Sequence, residues 1–421
     1  MRKSYTLKFF FVAFAAVHLS LAGFAQRTIE QCQEKAKNNY PRIKDYELIE
    51  KTKEFTIANA NKAYLPQVSL NLIGAYVISG FPSFVPGTAS GDGKFNFIGI
   101  AQLNQNIWDG GNARNEKKIA QADAIVSKNE TDVAMYQLQD RVNQLYFGIL
   151  LVDEQMKQIE LLKENLSHNL KRVRESAANG LAYSTDVDEV KGELLWLDQR
   201  TTEFRFTRRS YTDMLGLMIG EPIGSDETLL RPEAMLNSSV ETLNRPELLL
   251  FDNQQALVNA RSDMTKVSYM PKVGILGIAL KMDPGMSLGP QSIQSLSLVG
   301  LNVTWNTAGL YRAKNNRSLS AINFDRIATE RDVFIRNTRI QVLQSRAEMD
   351  KHRIIIEKDT EIIHLKEGIR KAYETKYENG ICSMNDLLIA INKESESRSN
   401  KALHEIQQLS SAFTYKAITG Q

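Results

Sequence analysis

The chain has 421 residues, with 52 Lys and Arg against 49 Asp and Glu, 43% hydrophobic residues and 2 Cys. This is ordinary globular composition at a length of two to three domains, and it excludes a disordered tail, a collagen and a disulfide scaffold. The formal charge of +3 resides in Arg2, Lys3 and Lys8, and beyond Ala25 basic and acidic residues balance, which argues against nucleic acid as a partner.

Residues 1–25 read as an export signal: basic Arg2, Lys3 and Lys8, an apolar run from Phe9 to Val17, then small residues up to Ala25, so the mature chain is expected to start near Gln26. The run is short for a membrane span, and no second apolar stretch of about 18 residues follows it. Leu21-Ala22-Gly23 precedes Phe24 and not Cys, so no lipid anchor is expected.

The ten prolines leave residues 87–221 and 291–421 free of proline, while residues 74–111 are rich in glycine. Two very long helical regions are permitted, alternating with strand-like pieces. The first helical region carries a heptad seam, Leu138, Val142, Leu145, Ile149, Val152, Met156 and Ile159, continued by Leu162, Leu166, Leu170 and Val173, as in coiled-coil packing. A continuous helix over 112–178 would be roughly 100 Å long at 1.5 Å per residue. The charged residues between seam positions, among them Asp140, Arg141, Asp153, Glu154 and Lys157, are expected on a solvated face.

The two halves of the chain repeat one another. Tyr64-Leu-Pro-Gln-Val68 returns as Tyr269-Met-Pro-Lys-Val273, the Trp108 segment returns loosely at Trp305, and Asn179-Gly180-Leu181 returns as Asn379-Gly380-Ile381, each followed by Asp six residues after its Gly. Constant order at offsets near 200 residues means one unit duplicated, reading helix, strand pair, long helix, tight turn, helix. The strand pairs are expected at about 65–80 with 93–107, and at about 270–282 with 292–305. In the first pair one face is apolar (Val68, Leu70, Leu72; Phe97, Leu103) and the other mixed. Each strand has the 9–11 residues that a tilted strand needs to cross a bilayer. Tyr64 and Trp108 at one end, with Phe81, Phe84 and Phe95 at the other, suit membrane-interface girdles, although a soluble hairpin would use them too. Four strands cannot close a barrel in lipid. Three copies would supply twelve and two would supply eight, and a conducting pore favours three or more.

Taken together, the Tyr-x-Pro-x-Val entry, the Trp-x-x-Gly exit into a long helix, the Gly-x₅-Asp turn and the twofold repetition after a signal peptide resemble the TolC-type outer-membrane efflux proteins, over about Thr28 to Thr419. The resemblance implies a mainly α fold with membrane β: a homotrimer whose twelve-stranded barrel in outer-membrane lipid continues as an α-helical tunnel across the periplasm. It implies an exit duct of tripartite efflux or type I secretion, served by a periplasmic adaptor protein and an inner-membrane RND or ABC-type transporter. In that plan 26–217 is the first repeat, 218–245 an inter-repeat link forming an equatorial belt, and 246–421 the second repeat. Helices over about 29–63 and 185–217 are near half the length of 112–178, so two short ones can stack against one long one.

The same resemblance places the periplasmic tip at turns 178–185 and 378–385. Gly180 with Leu181 and Gly380 with Ile381 are then the turn and adaptor-docking residues, and Tyr64, Trp108, Tyr269 and Trp305 mark the membrane interface. Asp186, Glu189 and Asp386 are the candidates for the pore constriction, where three copies of one carboxylate would favour cations. The plainer reading makes each Asp a helix N-cap. The second repeat has Ile389 where the first has Glu189, so which turn narrows the duct stays open.

No catalytic constellation or phosphate loop stands out, and no cofactor is expected. His18, His168, His352, His364 and His404 are scattered and read as surface residues. Cys32 and Cys382 are expected as free thiols. Two other classes of function stay in view: a periplasmic coiled-coil scaffold with no channel activity, which leaves the strand pairs unused, and an exported enzyme, which no motif supports.

Overall fold

The computed structural model describes residues 27–76, 95–224, 227–233, 242–283 and 294–421. The expected signal segment, Phe81 and Phe84 lie outside them. The chain forms two compact units. One comprises the residues up to Ile43, Thr131–Pro246 and Phe334–Gln421; the other comprises Lys44–Glu130 and Glu247–Val333.

The second of these units holds four antiparallel strands, β1 (Gln67–Tyr76), β2 (Phe95–Trp108), β3 (Lys272–Asp283) and β4 (Gln294–Thr304), in the spatial order β1-β2-β3-β4. The two repeats therefore meet at the centre, where β2 pairs with β3, and β1 and β4 are left as edges. The register aligns Leu70, Ala101 and Ala279 across three strands, and Gly277 with Val299. Because opposed residues share a face, Val68, Leu70, Leu72, Leu103, Ile275, Val299, Leu301 and Val303 lie on one side. That side is bare: Leu70 is 78% and Leu301 77% exposed. The other face carries Ser69, Asn71, Gln102, Asn104 and Asn302 beside apolar Ile100, Ile278, Leu280 and Leu296.

The helices of this unit bury Ala60, Ala120, Ala124, Val126 and Leu257 and are joined by polar contacts as well. They are α2 (Asp45–Lys62), the first part of α3 (Asn112–Ala178), α5 (Pro246–Val267) and the first part of α6 (Ala308–Glu378). Lys128 of α3 reaches Glu50 of α2 at 2.7 Å, Asn253 of α5 donates to Asn129 at 2.7 Å, and Arg261 pairs with Asp123 at 3.1 Å.

The other unit contains the core. Here α1 (Ile29–Asn39), the rest of α3, α4 (Ser184–Ile219), the rest of α6 and α7 (Met384–Thr419) come together. The expected continuous helix over 29–63 is broken: α1 stops at Asn39, Pro41–Lys44 form a 3₁₀ turn, and α2 begins at Asp45. Pro41 cannot donate an amide, and its ring collides with the carbonyl four residues back. At its start α1 is fixed by a capping box, in which Gln31 N–H donates to Thr28 Oγ1 (3.3 Å) and Thr28 N–H to Gln31 Oε1 (3.2 Å).

None of the heptad-seam residues of α3 is exposed. Leu138, Val142 and Ile149 join Ile29, Cys32, Leu215 and Phe413 in one apolar cluster; Leu162, Leu166 and Val173 join Val187, Val190, Leu387 and Ile391 in a second. Burial of each such side chain stabilises the fold by about 1.5–3 kcal/mol. Tyr146, fully buried, sets its hydroxyl between the carbonyls of Arg27 (2.8 Å) and Leu230 (2.6 Å), which ties the inter-repeat link to α3. The solvated face expected for Asp153 is corrected. Its carboxylate receives Arg208 Nε at 2.5 Å, and Arg208 also donates to the Glu227 carbonyl at 2.7 Å, so a side chain between seam positions bonds to α4 and is only half exposed.

In this unit α6 reverses the pattern of α3. At an offset of 200 residues the seam positions Leu138, Leu145, Val152 and Ile159 correspond to Thr338, Ser345, His352 and Asp359, and all four of these polar residues are buried. Six apolar residues of α6, Ile340, Leu343, Ile354, Ile362, Leu365 and Ile369, are exposed, while Met349, the counterpart of Ile149, is buried. The surface position expected for His352 is thereby corrected; it is 6% exposed.

Candidate functional site

The two hairpin turns are built alike from the backbone up. At the end of α3, Gly180 N–H donates to the Ala177 carbonyl (3.1 Å) and Leu181 N–H to that of Ser176 (2.8 Å); at the end of α6, Gly380 donates to Tyr377 (2.9 Å) and Ile381 to Lys376 (2.8 Å). This pair of bonds closes a helix through a residue in the left-handed region, and Gly180 and Gly380 have φ of +72° and +69°. A side chain at either would meet nothing within 4 Å, so the requirement for glycine is conformational and not steric.

The next helix starts four residues after each glycine, and both candidate aspartates enter its cap, although at the third helical position and not as the N-cap residue itself. Ser383 is the N-cap of α7: its hydroxyl donates to Asp386 Oδ2 (2.7 Å), as does its amide (3.0 Å), while Asp386 N–H donates to Ser383 Oγ (3.2 Å). These bonds hold the Asp386 carboxyl below the usual carboxylate range, the serine hydroxyl contributing most. Tyr183 occupies the N-cap position of α4, and its amide donates to Asp186 Oδ2 at 3.3 Å.

Here the two turns diverge. Asp386 is exposed, as are Glu189 and Ile389, whereas Asp186 is half-buried because its Oδ2 also accepts the Tyr377 hydroxyl at 3.3 Å. That bond ties the first hairpin to the second, and Arg172 adds a pair to Glu378 at 3.1 Å. Burial, then the charge of Asp186 and its hydrogen bond, push the Tyr377 phenol up to about 12. A cleft of about 570 Å³ between the turns is lined by Asn169, Arg172, Asp186, Tyr377, Cys382 and Leu387 among others. Around it stand exposed apolar side chains: Leu181 at 82%, Tyr183 at 79% and Ile381 at 71%. Tyr377 and Arg172 were not among the sequence candidates. The signal for Tyr377 lay in the repeat, since its counterpart at the 200-residue offset is Ala177.

The four expected interface aromatics gather at the end of the sheet where the strands join helices. Tyr64 donates to Asp109 Oδ1 (3.0 Å), and Asp109, buried, also accepts the amides of Gly111 (2.9 Å) and Ala113 (2.7 Å), capping α3 directly after Trp108. In the second repeat Trp305 Nε1 donates to the Tyr269 carbonyl (3.0 Å), and Asn306 caps α6 through Ala308 N–H (3.0 Å). Trp108 and Trp305 are exposed. Cys32 and Cys382 are free thiols. Burial pushes Cys32 up to about 11, leaving it inert. Among the described residues no group of three or more His, Cys, Asp or Glu is placed to hold a metal ion, and no helix is long and apolar enough to cross a membrane.

Neither a protein-family model nor a curated protein sequence matches the chain. Solved structures do. The outer membrane protein VceC of Vibrio cholerae superposes with a TM-score of 0.65 at 12% identity, over 93% of this chain and 94% of its own. CusC, described in connection with transmembrane channel formation, gives 0.67 at 14% identity, over 94% and 93%. The outer-membrane channel OprN gives 0.69 at 11% identity, over 93% and 89%. The chain has the TolC-type channel fold. At these identities the likeness concerns the path of the backbone, over more than nine-tenths of the chain.

Proposed function

We propose that three copies of this chain form an outer-membrane exit duct, passively conducting substrates delivered by an inner-membrane RND or ABC-type pump, in tripartite efflux or type I secretion. The observation that carries the reading is the sheet: a face of exposed Leu and Val, two unpaired edges, and strands of 10 to 14 residues. Such a sheet is unsuited to water, and in lipid it is unsuited to standing alone, because open edges leave backbone groups without partners. Pairing β4 of one copy with β1 of the next closes twelve strands. The outward apolar side chains of α6 suit the same assembly, giving each copy a surface to bury against its neighbour.

In this reading residues 1–25 direct export, the repeats 26–217 and 246–421 build barrel and tunnel, and 218–245 forms the belt between them. The turns at 178–185 and 378–385 are the periplasmic tip. There Asp186, Glu189 and Asp386 face or flank the constriction, and exposed Leu181 and Ile381, beside Gly180 and Gly380, meet the adaptor. Opening trades contacts such as Asp186–Tyr377 for contacts with the adaptor. Tyr64, Trp108, Tyr269 and Trp305 sit at the headgroup level. The channel needs no cofactor, since the pump supplies the energy.

The test is to isolate outer membranes from cells expressing the chain and to determine the mass and shape of the extracted particle, with its conductance in planar bilayers. A trimeric rod that conducts supports the duct. A soluble, elongated monomer or dimer that never conducts replaces it with the periplasmic scaffold.

A further inference from the structure

The buried polar seam of α6 is not used by the duct reading. Where two helices pack through a heptad seam, apolar residues are the stable choice, and the first repeat makes it. In the second repeat the same positions hold Thr338, Ser345, His352 and Asp359, and the partner helix α7 answers them: Ser345 Oγ donates to the Ser411 carbonyl (3.3 Å), and His404 Nδ1 lies 2.6 Å from Asp359 Oδ2. The rings of His352 and His404 are 6.0 Å apart. His352 Nε2 is 3.5 Å from Glu348 Oε2, and its Nδ1 is buried with no hydrogen-bond partner. His352, Asp359 and His404 thus occupy positions where Val152, Ile159 and Phe204 stand in the first repeat, and only one of the two imidazoles is held by Asp359.

We propose that His352, His404 and Asp359 form a proton-operated latch between α6 and α7, closed with His352 neutral and loosened when His352 gains a proton. In the closed state the His404–Asp359 pair bridges the helices and neutral His352 fills the seam. A proton on His352 places a cation on a side chain that is only 6% exposed. The groups acting on it are Glu348 and Lys351 of its own helix and His404 of α7, with Asp359 already committed to His404. On α7, Lys401 and Glu405 flank His404, and Glu405 is engaged by Arg231 at 3.1 Å. Glu348 alone favours the new charge, against burial, Lys351 and His404. The seam relieves this by opening to water.

The sign follows from the same groups. Burial, reinforced by Lys351, holds His352 below its ordinary value of 6.5 despite Glu348. As pH falls through 6.5 the separated helices take up a proton that the packed helices refuse, so packing weakens until the lowered folded value is reached and then levels off. The Asp386 cap does not contribute in this window, since its carboxyl titrates below the usual carboxylate range. The latch rests on the duct reading only for its use, which is to ease movement of the α6–α7 hairpin at the tip in acid.

The experiment is hydrogen exchange on the detergent-extracted full-length protein at about pH 7.5 and about pH 5.5, expressed as protection factors, with α3–α4 peptides around Leu166 as the internal reference. Protection over residues 345–360 and 400–410 is expected to fall severalfold in acid, with the reference unchanged. In His352→Met and, independently, His352→Gln the fall is expected to disappear. Protection that is constant with pH in the wild type, or a fall that persists in both variants, overturns the latch. Exchange reads the seam whether or not the protein conducts. A pH-silent seam in a conducting trimer therefore sinks the latch alone, whereas a particle that conducts at no pH sinks the duct alone.

Discussion

Gly180 and Gly380 sit in open space with positive φ, so substitution tests backbone conformation without steric interference. Gly380→Ala is expected to lower stability by about 1 kcal/mol, the penalty for an L-residue in the left-handed region, and Gly380→Asn to recover part of it, read as the thermal midpoint of the purified protein. Between the turns Tyr377→Phe removes one hydrogen bond, to Asp186, at a net cost of about 1 kcal/mol. Because that bond joins the two hairpins, its loss is expected to raise spontaneous conductance in bilayers, and unchanged currents would remove Asp186 and Tyr377 from the closing contacts. Asp386→Ala differs: it breaks only the cap of its own helix within one chain, so altered cation block would identify it as a pore residue, and a stability loss with no change in block would leave it a cap.

At the scale of elements the ion pair between α3 and α4 gives a sharp asymmetry. Arg208 is nearly buried and bonds both Asp153 and the Glu227 carbonyl. Asp153→Ala removes the carboxylate bonded to the Arg208 guanidinium and is expected to destabilise by about 1.5–3 kcal/mol, the worth of a hydrogen bond to a charged group. Arg208→Ala leaves a carboxylate that is still partly in water and should destabilise less; urea titration of the two variants checks the order. The seam of α3 was legible in the sequence because Leu, Val and Ile at steps of 3 and 4 declare themselves. Its counterpart in α6 was not, because Thr, Ser, His and Asp at steps of 7 look like surface when hydrophobicity is the guide. Superposing the repeats at the turn offset puts His352 on Val152 and Tyr377 on Ala177, so the information was present as a departure from the repeat. The break at Pro41 was equally readable, since a proline twelve residues into a proposed helix must interrupt it. The Asp153–Arg208 pair was not readable, because nothing in the sequence tells which residues of α4 face α3.

For the whole molecule the sheet decides the environment. Leu301→Arg on the exposed apolar face is expected to cost about 2–4 kcal/mol if that face meets lipid, and the protein should then be depleted from outer-membrane fractions; Asn71→Ser on the opposite face should leave its yield unchanged. Equal yields for the two variants would argue that neither face contacts lipid. The duplication and the four strands were visible from the Tyr-x-Pro-x-Val and Trp motifs, but their order was not. Only the pairing of β2 with β3 fixes which strands lie at the edges.

Those edges, β1 and β4, run for 10 and 11 residues, each with a row of backbone donors and acceptors facing outward. A single chain has therefore reached a local structure it cannot keep: unpaired edges are templates for any passing strand, and each copy carries both halves of the complementary pair. Under the proposed trimer, completion depends on meeting other copies, so its rate rises steeply with chain concentration. A lone chain's time in water is then its most hazardous interval, because its bare apolar face and open edges can meet any other surface first. The rate at which chains are supplied sets the ratio of assembled trimers to aggregates.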